Sequence, residues 1–249
     1  MENLFKKAAE IIKNSNHTVV FTGAGISVES GIPPFRGKNG LWSKYNPKYL
    51  DLDFFISNPK ESWQVIKELF YDFFGEAKPN AAHKAIAELE KLSYVKSVIT
   101  QNIDNLHQLA GSKNVIEYHG NSSFLTCINC HTKYEKELFS FNNLPLYCRK
   151  CNDLLKPDFV FFGEAIPEKA NYLANEEAIK ADVFIIIGTT GEVMPACSIP
   201  YISKNNGCFI IEVNPEVSNY TNSITDIFIQ EKACKAMNNI FEYCRPIKN

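Results

Sequence analysis

The stretch Val19-Val20-Phe21-Thr22-Gly23-Ala24-Gly25-Ile26-Ser27 sets the reading of the whole chain. Four β-prone residues run into two glycines and then into a segment able to turn helical. Glycine tolerates positive φ and lets backbone amides come close to a ligand. A strand ending in such a turn can aim its amides at a phosphate. The third glycine of the Gly-x-Gly-x-x-Gly fingerprint is missing, because Val28 stands at that position. A plain tight turn fits the fragment as well, so the surrounding chain has to decide.

Downstream, Gly31, Pro33 and Pro34 preclude a regular helix and leave a restrained loop that carries Phe35 and Arg36. Upstream, Leu4, Phe5, Ala8, Ala9, Ile11 and Ile12 recur at helical spacing over residues 2–14. From about 40 to 78 the chain is aromatic and helical, with Trp42, Phe54, Phe55, Trp63, Ile66, Leu69 and Phe70 as candidate core. Pro79-Asn80 opens a helix whose apolar side is Ala82, Ile86, Leu89 and Leu92. Val95 to Thr100 reads as a strand that ends in Gln101-Asn102-Ile103-Asp104. Ligand groups gather at the carboxyl ends of strands in open α/β sheets, although Asn and Asp are also ordinary helix caps. Val115 to Asn121 is a further short strand with His119 in its polar end, and a lone histidine there is more often structural than catalytic.

Lys156 to Glu164 reads as an apolar strand entered through proline, followed by a helix over 168–180. Val183 to Ile187 is apolar throughout, as a strand buried on both faces of a parallel sheet should be. It ends in Gly188-Thr189-Thr190-Gly191, a second turn of small residues. A helix near 196–205, a strand Phe209–Val213 ending at Asn214 and a closing helix over 231–244 complete the pattern. The order is βαβ throughout, which predicts an α/β fold with a doubly wound parallel sheet. Foreign material interrupts it at about 40–78 and 122–154.

A formal net charge of -2 supplies no global field for nucleic acid or anionic membrane. No apolar run approaches the roughly 18 residues of a membrane span, and the N-terminus has no signal-peptide core. The expectation is a cytoplasmic protein without membrane or direct nucleic-acid contact. Of the 8 cysteines, four form two Cys-x-x-Cys pairs, Cys127/Cys130 and Cys148/Cys151. In a reducing compartment this spacing reads as a structural zinc site. Four thiolates close the tetrahedral shell, so the metal should hold the fold and do no chemistry.

Taken together, these stretches resemble the sirtuins, the NAD-dependent protein lysine deacylases. The matching segments are Thr22 to Ser27, Ser30 to Pro33, Phe35-Arg36-Gly37, Thr100 to Asp104 and His119-Gly120. The two cysteine pairs, Phe162-Gly163-Glu164, Gly188-Thr189 and Asn214 follow in family order and extend the match over nearly the whole chain. The resemblance implies a Rossmann-like NAD-binding domain of residues 1–39, 79–121 and 155–249. It implies a small domain made of the helical module 40–78 and the zinc ribbon 122–154.

It also implies roles. Gly23, Ala24 and Gly25 would approach the diphosphate. Phe35 would shield the reactive ribose carbon, and Arg36 would bring positive charge near phosphate. Gln101, Asn102, Ile103 and Asp104 would face the nicotinamide and its ribose. Gly188, Thr189, Thr190 and Asn214 would serve phosphate or the adenosine ribose. The implied catalytic residues are His119 and Asn102, with His119 as general base on a ribose hydroxyl, a role its ordinary pKa of roughly 6.5 suits. Nicotinamide leaves, and the acyl group of an acetyl-lysine protein substrate passes to ADP-ribose. The substrate peptide would add as a strand beside Val160, Phe161, Phe162 and Gly163. Protein ADP-ribosyl transfer, NAD hydrolysis and a non-catalytic zinc-ribbon binding protein are the rival readings.

The chain departs from the sirtuin pattern at three places. Pro34 stands where an acidic residue is usual, Gly191-Glu192 replaces the leucine segment after Thr190, and Tyr118 replaces a leucine before His119. Sirtuins that remove succinyl groups place a tyrosine and an arginine in the helical module. The only arginines here are Arg36, Arg149 and Arg245, none between 40 and 78. A buried acyl carboxylate would lack a partner, so slow desuccinylation and an apolar acyl pocket are expected.

Overall fold

The computed structural model describes residues 1–35, 40–72 and 77–246. Helix α1 (Glu2–Asn14) buries Phe5, Ala8, Ala9 and Ile12 on one face. The chain then turns where Asp182 accepts the backbone amides of Asn16 and His17. It enters strand β1 (Thr18–Thr22), buried along its whole length. Ala24–Ser30 coils into a tight 3-10 turn rather than an α-helix. Gly31 ends it at φ 90, the left-handed conformation that glycine adopts without cost.

Residues 40–72 are helical, as expected from their aromatics. They hold α2 (Leu52–Ser57), capped by the Asp51 carboxylate on Phe54 N, and α3 (Pro59–Ile66), with proline in its first turn. A π-helical turn over Lys67–Asp72 follows. Helix α4 (Ala81–Lys91) starts on a capping box made by Asn80 and His83. Then come β2 (Val95–Thr100), α5 (Leu106–Ala110), β3 (Val115–Glu117), β4 (Gly120–Cys127), β5 (Lys133–Glu135) and β6 (Leu155–Phe159). The last part alternates α6 (Glu168–Lys180), β7 (Val183–Ile187), α7 (Ile199–Asn205), β8 (Phe209–Val213), β9 (Ile227–Ile229) and α8 (Ala233–Cys244).

Six strands form one parallel sheet in the order β3-β2-β1-β7-β8-β9. Counted within that sheet the order is 3-2-1-4-5-6, the Rossmann arrangement. The chain's direction of travel reverses between β1 and β7, so the binding crevice of this topology opens at their carboxyl ends. One face of the sheet packs on α1, α4 and α8 through Phe5, Ile12, Ile86, Leu89, Met237 and Ile240. The other packs on α6 and α7 through Ala174, Ala178, Ile199 and Ile210. A second, antiparallel sheet β5-β4-β6 shares a separate core with the 41–70 segment, in which Phe55, Trp63 and Phe70 meet Leu125, Leu155 and Phe161.

Three expectations change, the first being the strand read from Val115 to Asn121, which ends at Glu117 before β4 starts at Gly120. The strand read over 156–164 stops at Phe159, because the amides beyond it turn to other partners. Val160 N donates to His119 O, Phe161 N to the Glu164 carboxylate and Phe162 N to Leu50 O. Strand β9 was not visible in the sequence, since three residues give no period to detect.

Candidate active site

At the mouth of the crevice the turn after β1 locks against the turn after β7. Gly23 N donates to Ile187 O at 3.0 Å and Gly25 N to Gly188 O at 2.8 Å. A Cβ on Gly25 would lie 2.6 Å from the Gly188 Cα, and one on Gly23 would lie 2.8 Å from the Thr189 Cβ. Backbone lies on backbone here, which only glycine permits. Gln101 Nε2 donates to Thr189 Oγ1 at 3.3 Å, and Asn214 Nδ2 donates to Thr189 O at 3.1 Å. Thr190 is exposed beside them. The residues predicted for this rim therefore do come together.

Behind the rim lies a small cavity lined by Ala24, Ser27, Ile32, Phe35, Asn102, Ile103 and Asp104. Asn102 is buried and donates through Nδ2 to Gly23 O at 3.1 Å and Ser27 Oγ at 3.2 Å. Asp104 accepts from Ser27 Oγ at 2.7 Å and from Leu106 N, the first residue of α5, at 3.0 Å. Burial pushes the Asp104 carboxyl up, and these two hydrogen bonds oppose the rise. Ser27 and Ile32 were not singled out from sequence. Ser27 belongs to the opening stretch, but a lone hydroxyl carries no spacing signal. Phe35 closes one side, with its ring 5.3 Å from Trp42 and 6.5 Å from Phe70. Arg36 lies outside the described residues.

His119 sits in the two-residue turn between β3 and β4, half-buried. Its Nδ1 is 3.1 Å from Gln101 O. A carbonyl only accepts, so Nδ1 carries the proton and Nε2 keeps its lone pair. Burial holds the imidazole below its ordinary pKa. Its carbonyl accepts the amide of Val160 at 2.8 Å, which joins the histidine to the segment after β6. In that segment Phe162 makes a parallel bridge to Asp51 and uses both backbone groups on Leu50 and Leu52. Among the described residues the Val160 carbonyl and both backbone groups of Gly163 have no backbone partner. A Cβ on Gly163, at φ 80, would meet open space.

Two departures have structural answers. Gly191 is at φ 72, and a Cβ there would lie 2.8 Å from the ring of Tyr220. Tyr220 is fully buried and donates to Cys197 O, so its ring takes the space beside the turn. Tyr118 is likewise buried and donates to Asn171 Oδ1 at 3.0 Å.

The ligand atoms of Cys127, Cys130, Cys148 and Cys151 all lie within 4.8 Å of one another. Cys127–Cys151, Cys130–Cys148 and Cys130–Cys151 have S···S distances of 3.4, 3.6 and 3.4 Å. These are far too long for disulfides. They approach the ~3.8 Å edge of a sulfur tetrahedron built on Zn–S bonds of ~2.3 Å. The donor set fits one zinc ion, and none of its residues lines the cavity.

Comparison with known proteins follows the same line. The Sir2 family profile matches residues 23–195. The "NAD-dependent protein deacylase 2" of Archaeoglobus fulgidus is 44% identical, covering 100% of this chain and 99% of its own. The "NAD-dependent protein deacylase" of Pyrococcus furiosus is 47% identical, covering 97% and 98%. A Sir2 structure holding a deacetylated p53 peptide and 3′-O-acetyl-ADP-ribose superposes with a TM-score of 0.89 at 37% identity, covering 96% and 97%. By profile, sequence and structure, this chain belongs to the Sir2 family.

Proposed function

We propose that the chain is an NAD-dependent protein lysine deacetylase, which passes the acyl group of acetyl-lysine to ADP-ribose and releases nicotinamide. The observation that carries this reading is His119, with Nδ1 committed to Gln101 O and a basic Nε2, next to a crevice floored by three interlocked glycines. The crevice fits NAD on this structure's own terms. Gly23, Gly25 and Gly188 let the turns after β1 and β7 pack backbone against backbone at its mouth, where a Cβ would force them apart. The buried Asn102 and half-buried Asp104 supply polar groups to a cavity that is otherwise lined mainly by carbon.

When bound, NAD supplies an electrophilic ribose and a nicotinamide leaving group. Ala24 and the glycine turns would hold the diphosphate, and Thr189 and Asn214 the adenosine ribose. Asn102 and Asp104, both tied to Ser27, would orient the nicotinamide end, and Phe35 would exclude water from it. His119 would take the proton of a ribose hydroxyl at Nε2. Acyl-lysine peptides would bind along the free edge at Val160 and Gly163, where backbone recognition tolerates varied sequence. We assign the small domain to residues 40–78 and 122–154, whose Phe55, Trp63 and Leu125 share a core that β6 extends through Leu155 and Phe159. No helix among the described residues is long and apolar enough to cross a membrane. The unbridged cysteine cluster suits a reducing compartment, and we place the protein in the cytoplasm.

Mass spectrometry of a reaction with NAD and an acetyl-lysine peptide tests the proposal. Equal amounts of deacetylated peptide, nicotinamide and O-acetyl-ADP-ribose are expected. ADP-ribose attached to protein, or free ADP-ribose without deacetylation, would replace this reading with transfer or hydrolysis.

A further inference from the structure

Lys156 is buried at 7% exposure, an unusual place for an ammonium group. All three of its N–H donors are used. Nζ donates to Pro157 O at 2.9 Å and to Phe159 O at 2.6 Å, and it pairs with the Glu164 carboxylate at 3.0 Å. The same nitrogen stands 4.4 Å from the centre of the Phe161 ring. Glu164 works in both directions. Its Oε2 accepts the Phe161 amide at 2.8 Å, and its own amide donates to Phe161 O at 3.1 Å. Residues 156–164 are thus tied into a closed loop by one cation and one anion. Burial pushes the lysine pKa down, and Glu164 and Asp158 oppose that shift.

This loop decides which backbone groups stay free. The lock occupies Phe161, and the 50–52 segment occupies Phe162, so the Val160 carbonyl and both backbone groups of Gly163 are left without a backbone partner among the described residues. Val160 N is itself anchored on the carbonyl of His119.

We propose that the Lys156–Glu164 pair is a positioning element for the acyl-lysine peptide, holding the Val160–Gly163 edge in binding register with His119. This rests on the deacetylase reading above and deepens it. Neither side chain lines the cavity at Ala24 and Asp104, so the pair should act on peptide binding and leave the dinucleotide end unchanged.

The test compares wild type with Lys156→Met, Lys156→Arg and Glu164→Gln. Binding of a fluorescent acetyl-lysine peptide is followed by anisotropy in the presence of ADP-ribose, and ADP-ribose binding is followed by calorimetry. KM is measured for each substrate. In Lys156→Met the peptide Kd and KM should rise about tenfold, while ADP-ribose affinity and NAD KM stay within about twofold. Lys156→Arg, which keeps the charge and the donors, should recover most of the loss, and Glu164→Gln should repeat it. Should Lys156→Met fail to fold, the milder Glu164→Gln carries the same split. Unchanged peptide affinity in both variants would overturn the proposal. Equal losses for peptide and ADP-ribose would also overturn it, since a merely structural role has that signature. Wild type that binds peptide without turning it over would refute the deacetylase reading and still leave the lock measurable by affinity.

Discussion

The proton on His119 Nδ1 is the smallest feature with a functional consequence. The Gln101 carbonyl fixes it there and leaves Nε2 basic. Burial lowers the imidazole pKa, so the neutral base persists to lower pH than a free histidine would allow. The acid limb of kcat/KM should therefore have its midpoint below pH ~6.5, with activity lost as pH falls through it. A midpoint above 7 in the pH profile would contradict this assignment. Ser27 is the second consequential residue, because its hydroxyl bonds both Asp104 and Asn102. Removing it leaves the buried Asn102 and the half-buried Asp104 each short of a partner, so Ser27→Ala should raise the KM for NAD about tenfold and spare the peptide KM. Asn102 and Asp104 were legible in the sequence because they follow a strand directly. Ser27 was not, because its role exists only once the strand ends are brought together.

At the scale of elements, the turns after β1 and β7 are one unit. Gly25→Ala would drive a Cβ to within 2.6 Å of Gly188 and force two backbones apart, so lower stability and weaker ADP-ribose binding are expected together by thermal melting and calorimetry. Helix α4 carries a different liability. Its capping residue His83 is fully buried, with its ring 4.9 Å from that of His107, and burial pushes His83 down to about 4. His107 shifts the same way, through burial and the charge of His83. The fold prefers these rings neutral, whereas the unfolded chain takes up their protons near pH ~6.5. Stability should hold above that pH and fall as pH drops towards ~4, with His83 alone accounting for about 3 kcal/mol. Denaturant titrations across this window should show the decline, and His83→Leu should show a shallower slope. A flat profile in wild type would contradict it. The elements themselves were readable where the pattern was plain, as with the helical apolar spacing of α1 and the unbroken apolar run of β7. The strand read beyond Phe159 was overridden by side-chain and loop partners at Glu164, Leu50 and His119, which no periodicity records.

For the whole molecule, the division of labour follows the cores. The parallel sheet and its helices form two cores around the crevice, while the ribbon and the 41–70 helices share a third. Chelation of the zinc should loosen that third core and abolish peptide turnover, with the β7–β8 strand amides still protected in hydrogen exchange. Loss of protection throughout would show that the metal holds the entire fold. Both described arginines are engaged elsewhere, Arg149 with Leu138 and Phe139 and Arg245 with Glu242. Desuccinylation should therefore run at least about tenfold slower than deacetylation, since no described arginine is available to pair a buried carboxylate. The parallel sheet and the cysteine cluster were foreshadowed by apolar strand runs and Cys-x-x-Cys spacing, because local pattern suffices for both. The shared third core was implied by the family resemblance and by no local pattern, since it joins segments some 80 residues apart through side-chain packing and the Trp63 indole bond to Leu155 O. The most direct test of the account is a single-turnover experiment with His119→Ala, NAD and an acetyl-lysine peptide. The account predicts wild-type affinity for ADP-ribose with deacetylated product reduced by about a hundredfold or more. Deacetylation at the wild-type rate in that variant would contradict it.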